Sequence, residues 1–352
     1  MNKPKQKKMK GSSKFGLFLK ITLILATSVL ICTAAYSVYL TKKAETAVNK
    51  AYEDLGERDI SDKREVKVEP IKDNVSILFI GIDDSAERGQ GSENSRSDAL
   101  VLATLNNKTK TIKLVSIPRD SYIYIPSFGY NDKITHAHTA GSLSTIEAIE
   151  ELFDIPLDYY VRMNFDAFID VINALDGIEV EVPYAILELD ENDNRTVDLQ
   201  PGLQHLNGRE ALALARTRKL DSDIERGKRQ QEIIKAIVNK ASSASSITKY
   251  DDVIEAIGDN MKTNLTFSEI KSFLSYLSNG IPHIDSLTLK GYDDMSTGIY
   301  YYKLDQESLN ETKHILQSHL GLIPDTTNIS EVPTNNSNEQ TQSDTLLNAE
   351  SQ

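Results

Sequence analysis

The chain has a single cysteine among its 352 residues, Cys32, and it lies inside an apolar run. The remainder therefore has no disulfide and no cysteine-based metal site, and its core alone must hold it. Acidic residues are missing from the first 43 positions, which carry nine lysines (3, 5, 7, 8, 10, 14, 20, 42 and 43). The whole chain stands at −13 and these 43 residues at +9, so residues 44–352 carry about −22. A surface that acidic argues against nucleic acid as a partner. No internal repeat is visible.

Charge is also missing from Ile21–Leu40, a run of 20 residues. At about 1.5 Å per residue it is long enough to cross a bilayer. Seven lysines precede it and two follow closely. The positive-inside rule then puts a basic tail, residues 1–20, in the cytoplasm and everything beyond the anchor outside. A cleavable signal peptide is the rival reading, but the run is long for one and Ala34-Ala35-Tyr36 makes a poor cleavage site. Residues 41–73 read as a short helical stalk followed by an extended linker through Glu69-Pro70.

What is present beyond that point is one domain's worth of apolar and charged segments, residues 74–322. Val75–Ile82 is almost wholly apolar, as a central strand should be, and it ends in Asp83 and Asp84. A polar loop leads to Arg96-Ser97-Asp98 and a strand from Ala99 to Leu105. A third strand, Thr111–Ile117, ends in Pro118-Arg119-Asp120. Strand ends are where ligands bind in an open α/β sheet. His136 and His138 could share a strand face and a metal, but no third ligand is near, so a polar role at the site's edge is expected. Helices are expected over Ser144–Phe153 and Phe165–Leu175, strands over Asp158–Met163 and Ile178–Val182, and a polar loop over Glu188–Leu203. The alternation predicts an α/β fold, a sandwich and not a barrel. From residue 323 on, the polar tail to 352 reads as disordered.

The most informative stretch is Leu206–Ala241. Asn207 and Glu210 form a capping box for a helix ending in Arg216 and Arg218. After a polar turn a second helix opens around Arg226. Its core face, Ile233, Ile237 and Ala241, continues backwards into Arg226, Arg229 and Gln230. An exposed arginine face would lie opposite the isoleucines. Arginines on the inward side call for an anion, and a helix N-terminus suits phosphate. This stretch is therefore expected to clamp a polyphosphate.

Eight segments in order resemble the LytR-CpsA-Psr family of cell-envelope phosphotransferases. They are Leu78-Phe-Ile-Gly-Ile-Asp83, Arg96-Ser-Asp98-Ala-Leu, Leu114-Val-Ser-Ile-Pro-Arg119-Asp120, Lys133-Ile-Thr-His136-Ala, Asp158-Tyr-Tyr-Val-Arg-Met-Asn164, Leu206-Asn-Gly-Arg-Glu-Ala-Leu-Ala, Ala215-Arg216-Thr-Arg218 and Arg226-Gly-Lys-Arg229-Gln230-Gln231-Glu232. His138 departs from the family pattern, where an aromatic is common. The resemblance implies a single three-layer α-β-α sandwich outside the membrane, preceded by one N-terminal transmembrane helix in a Gram-positive-type envelope.

It also implies transfer of an anionic glycopolymer, of teichoic acid or capsular polysaccharide type, from an undecaprenyl pyrophosphate carrier to a muramic acid 6-hydroxyl of peptidoglycan. By the same resemblance Asp83 and Asp98 would hold Mg²⁺, with Mn²⁺ an alternative. Arg119, Arg216, Arg218 and Arg226 would grip the pyrophosphate as catalytic residues. Arg96 and Gln230 would add substrate contacts, with Arg229 and Asp120 behind them. Either aspartate could instead be an ordinary strand-end turn residue. Three helical segments, 144–153, 165–175 and the isoleucine face of 233–237, are expected to line a groove for the lipid. Two other activities fit the same residues: hydrolysis of the lipid pyrophosphate, and non-catalytic regulation of the envelope.

Overall fold

The computed structural model describes residues 14–56, 58, 60–83, 95–189, 195–218, 222–243, 250–257, 260–278 and 280–324. Asp84, most of the 85–95 loop and the polar tail past 324 lie outside them. The chain opens with a long helix, α1 (Lys14–Ala51). Next come β1 (Val75–Ile82), β2 (Ser97–Asn106), β3 (Thr111–Ser116) and a small hairpin, β4 (Tyr122–Ile125) with β5 (Tyr130–Lys133). A single turn, α2 (Ile134–Ala137), precedes α3 (Ser142–Phe153), β6 (Tyr159–Met163), α4 (Phe165–Ala174) and β7 (Ile178–Val182). Three short strands follow, β8 (Ile186–Leu189), β9 (Arg195–Leu199) and β10 (Gly202–Leu206). The arginine helices are α5 (Gly208–Arg216) and α6 (Asp223–Ala241). The rest is α7 (Tyr250–Ile257), β11 (Met261–Thr263), α8 (Phe267–Ser278), β12 (His283–Thr288), β13 (Gly291–Asp294), β14 (Tyr301–Leu304) and α9 (Gln306–Leu320).

Six strands form one mixed sheet in the order β11-β6-β1-β2-β3-β12. Its central strands are apolar on both faces because both are covered. On one face Leu78, Ile80, Leu100 and Leu102 pack against Ile146, Ile149 and Phe153 of α3 and Leu316 of α9. On the other, Ile77, Val101 and Ala103 meet α1, α4, α6, α7 and α8. The expected α-β-α layering is thus observed.

Strand directions decide where the site lies. β1 pairs parallel with β6 and antiparallel with β2, and β2 pairs antiparallel with β3. The C-terminal ends of β1, β3 and β6 and the N-terminal end of β2 therefore share one edge. Asp83, Arg119, Asn164 and Asp98 collect there, although up to 81 positions separate them in the chain. 

Four expectations change. Glu188–Leu203 is not simply a loop: it holds the second half of β8, all of β9 and the start of β10. His136 and His138 lie on a helical turn and a 3₁₀ turn, not on a strand. His138 is buried with Nδ1 2.7 Å from the Ser95 carbonyl, and His136 pairs with Asp132 at 2.8 Å. The α3 helix packs on the sheet face opposite the arginines. The 41–73 stretch is also no free stalk: Ala44, Val48 and Ala51 are core residues of the domain. Arg58 and Arg64 from this stretch reach buried Glu150 at 2.7 Å and Asp158 at 2.8 Å. As for the predicted span, among the described residues no helix is long and apolar enough to cross a membrane. Residues 21–40 run inside α1, and the side chains at 21, 24 and 25 are outside the described set.

Candidate functional site

The α5–α6 corner brings the arginines to the sheet edge. Asn207 accepts from the Glu210 backbone N–H and Glu210 returns the bond to Asn207 N–H, completing the capping box that opens α5. Ser222 accepts from Glu225 N–H and opens α6. Between them, α6 side chains close the C-terminal carbonyls of α5. Arg229 donates Nε to Leu214 O at 3.2 Å and Nη2 to Thr217 O, and Gln230 donates to Ala215 O at 3.3 Å. Those carbonyls would otherwise lack partners. Arg229 is thus a brace for the corner that carries Arg216 and Arg218.

Two glycines set the distances. A Cβ on Gly227 would come 2.5 Å from Ser116 Oγ and 3.0 Å from Ser116 Cβ, so glycine lets α6 lie close against the end of β3 without displacing Ser116. A Cβ on Gly208 would come 2.3 Å from Ile169 O, which fixes α5 against α4. Gln231 then ties α6 to the sheet, donating to Leu287 O at 3.0 Å.

The result is a cavity of about 470 Å³ between the sheet's second face and α4, α5, α6 and α7. Its mouth carries Asp83, Asp98, Arg119, Arg216, Arg218, Arg226 and Gln230. Its interior is apolar, with Phe79, Phe168, Ile233, Ile234, Ile237 and Met261. Seven of the eight predicted site residues are therefore together. Arg96 is the exception: it is exposed and does not line the cavity. Of the helices expected around a lipid groove, α4 and the α6 isoleucines line it and α3 does not.

Electrostatics at the mouth are uneven. Arg119 donates Nη1 to Asp98 Oδ1 at 2.6 Å. Burial works against its charge, but Asp98, Asp120 and Asp223 outweigh burial and hold it above the usual arginine value. Arg226 is different. Burial lowers its pKa, and Arg218 and Arg119 push the same way against Asp223 and Asp98. Arg226 reaches Asp98 O at 3.3 Å and Asp223 at 3.6 Å. Arg218 stays 44% exposed beside Asp223, and the Arg216 guanidinium lies 4.5 Å from the Phe165 ring centre. Arg119 Nε and Arg226 Nε are buried without a hydrogen-bond partner. A buried donor left unmade costs about 1–3 kcal/mol. An anion at the mouth would relieve both that cost and the repulsion among the arginines.

Asp83 is 5% exposed, and with Asp98 and Glu188 it makes up the carboxylates lining the cavity among the described residues. No group of three or more His, Cys, Asp or Glu side chains able to hold a metal occurs among those residues. Mg²⁺ needs no such group: it takes one or two carboxylates and fills its shell with water and phosphate oxygens. Sequence reasoning missed Glu188 and Leu189, which it put in a loop, and Val253 and Met261, which reach the cavity from α7 and β11. No pattern in those four marks them; only the tertiary fold brings them in. Phe165 and Phe168 belong to the helix expected at a lipid groove.

Comparisons with known proteins fit this geometry. A family model, the LytR_cpsA_psr family, matches residues 37–318. The chain is 40% identical over 321 residues to the polyisoprenyl-teichoic acid–peptidoglycan teichoic acid transferase TagT of Bacillus subtilis, covering 90% of this chain and 99% of that one. A structure of TagT bound to LIIa-WTA superposes with a TM-score of 0.67 at 42% identity, over 76% of this chain and 99% of that one. Another, TagT with bound octaprenyl pyrophosphate lipid, gives a TM-score of 0.63 at 38% identity and the same coverage. With the fold, the ordered motifs and the family match in agreement, the chain belongs to the LytR-CpsA-Psr (LytR_cpsA_psr) family.

Proposed function

We propose that this chain transfers an anionic glycopolymer from an undecaprenyl pyrophosphate carrier to the muramic acid 6-hydroxyl of peptidoglycan. One observation carries the reading: a cavity with arginines and aspartates at its mouth and mostly apolar walls within, Glu188 and Asn164 being the other polar groups that line it. Such a cavity matches an amphiphile with a pyrophosphate head and an isoprenoid tail. The relatives named for teichoic acid transfer, and the relative holding octaprenyl pyrophosphate, support it.

The acceptor hydroxyl oxygen attacks the phosphorus that bears the polymer. A new P–O bond forms, the bridging P–O bond to the lipid phosphate breaks, and prenyl phosphate leaves while the hydroxyl proton passes to a base. Arg119, Arg216, Arg218 and Arg226 bind the phosphate oxygens as charge shifts onto the leaving group. Asp98 aligns Arg119, and Gln230 holds the corner while lining the mouth. Asp83 and Asp98 would hold Mg²⁺, or Mn²⁺ in its place, and the ion would supply further charge neutralisation.

Residues 21–40 of α1 serve as the membrane anchor, with the N-terminus in the cytoplasm and the catalytic domain outside. Leu23, Leu30, Ile31 and Val38 are 57–69% exposed and unpaired with the domain, as side chains facing lipid would be. The lysine asymmetry sets the orientation.

Reconstitution tests the whole reading. The full chain in detergent would be given a lipid pyrophosphate-linked saccharide and a peptidoglycan oligomer, with mass spectrometry of the products. A phosphodiester-linked adduct is expected. Carrier cleaved to free phosphorylated saccharide with no adduct would make the protein a hydrolase.

A further inference from the structure

A second concavity, about 590 Å³, opens in the α3 and α9 layer, on the sheet face opposite the arginine-mouthed cavity. The two hairpins, β4–β5 and β13–β14, form much of its wall. A continuous track joins it to the site. Arg119 Nε lies 3.6 Å from Asp120, and Asp120 accepts from Lys133 at 2.7 Å. The Lys133 ammonium lies 5.6 Å from the Tyr300 ring centre and 5.7 Å from that of Tyr301. Tyr301 meets Tyr122 edge to face at 4.8 Å, and Lys303 sits 3.2 Å over the Tyr122 ring. The backbone repeats the link, since Tyr302 N–H donates to Asp120 O at 2.9 Å. The groove is thus anchored one residue from Arg119.

We propose that this groove binds the glycan strand of the acceptor, with Tyr124 and Tyr292 as stacking platforms. This rests on the transferase reading above. Tyr124 and Tyr292 are 45% and 64% exposed, so their rings are open to a ligand. Sugar rings stack their C–H faces on aromatic rings and offer hydroxyls to amide, carboxylate and ammonium groups. Asn131, Glu151, Glu307 and Lys313 line the same groove and supply those groups. Walls carrying both charge signs and hydroxyl-bearing rings fit a polyhydroxyl chain better than the apolar centre of a protein interface. The reaction geometry points to the acceptor and not the donor polymer. Attacking and leaving oxygens lie roughly in line across the phosphorus. The leaving lipid phosphate would point into the apolar cavity, so the hydroxyl must arrive from outside that cavity, and the track from Arg119 through Lys133 to Tyr122 links the groove to the site.

The test uses the full chain in detergent and, as probe, lipid-free oligosaccharides of alternating N-acetylglucosamine and N-acetylmuramic acid. Titration calorimetry gives probe affinity, and the transfer assay gives acceptor KM. The double substitution Tyr124→Ala with Tyr292→Ala should weaken both roughly tenfold, from the loss of two stacking contacts. Its kcat and its binding of prenyl pyrophosphate should stay unchanged. Unaltered probe affinity and acceptor KM would overturn the proposal. So would a change confined to the dependence on donor polymer length, or a wild-type groove that captures a protein and no glycan. Transfer that ignores the tyrosines sinks the groove alone. Tyrosine-dependent probe binding without any transfer supports the groove and counts against the proposed activity.

Discussion

Arg226 carries its charge into a position only 6% exposed, where Arg218 and Arg119 oppose it and its Nε has no partner. Such a group is held for a ligand at some cost to the empty fold. Arg226→Met should therefore lower transfer about 10²–10³-fold, the usual loss for one charge-stabilising donor, while the melting temperature stays level or rises. Arg229, three positions on, behaves in reverse. Its guanidinium spends its bonds on Leu214 O and Thr217 O, so Arg229→Ala should destabilise the protein by roughly 1–3 kcal/mol in urea unfolding. A melting temperature that falls for Arg226→Met and holds for Arg229→Ala would exchange the two roles. At Asp83, substitution by asparagine should raise the Mg²⁺ concentration needed for half-maximal transfer, and chelation should stop transfer in the wild type until Mg²⁺ or Mn²⁺ is restored. Transfer insensitive to chelation would remove the metal from the account.

Between elements, the seams decide more than the helices themselves. Gly227 is the contact on which α6 meets β3, and Gly227→Val should displace Arg226 and abolish transfer even where far-UV circular dichroism is unchanged. On the other face, His319 ties α9 to the sheet through Thr104 and Thr111, each at 2.8 Å. Burial, with Lys113 nearby, depresses its pKa from 6.5 to about 4. The folded state thus resists a proton that the unfolded chain accepts. The stability this group contributes is complete above pH 6.5 and is lost as pH falls towards 4, by up to about 3 kcal/mol. Unfolding of His319→Gln across that window should show a flatter acid limb than the wild type.

Much of this level was legible in the sequence: the capping box at Asn207, the inward arginines of α6, and the apolar strands whose ends hold Asp83, Asp98 and Arg119. What was not legible needed tertiary information. Helical periodicity shows that α3 has a buried face but not which side of the sheet buries it. The strands β8 and β9 are only four and five residues long, too short for an alternating pattern to stand out beside the polar residues around them, and it is their pairing that makes them strands.

Taken as a whole, the molecule places the domain that follows α1 directly against the end of that helix. Ala44, Val48 and Ala51 belong to the domain core, and Arg58 and Arg64 pair with Glu150 and Asp158. A fragment beginning at residue 41 should keep the stability of the full chain. One beginning at residue 70 leaves those two carboxylates without their arginines, and unpaired buried charges typically cost about 3–5 kcal/mol each. Equal unfolding midpoints for the two fragments would return residues 41–69 to the status of a linker. With α1 anchored as proposed, the short path from the helix to the domain would keep the cavity near the membrane that holds its lipid. The claim that one cavity takes both pyrophosphate and isoprenoid is the centre of this account. It is tested most directly by measuring transfer from carriers of long and short isoprenoid chain, in the wild type and in Ile234→Glu. The cavity predicts that the charged wall abolishes use of the long carrier and spares the short one; equal loss with both would contradict it.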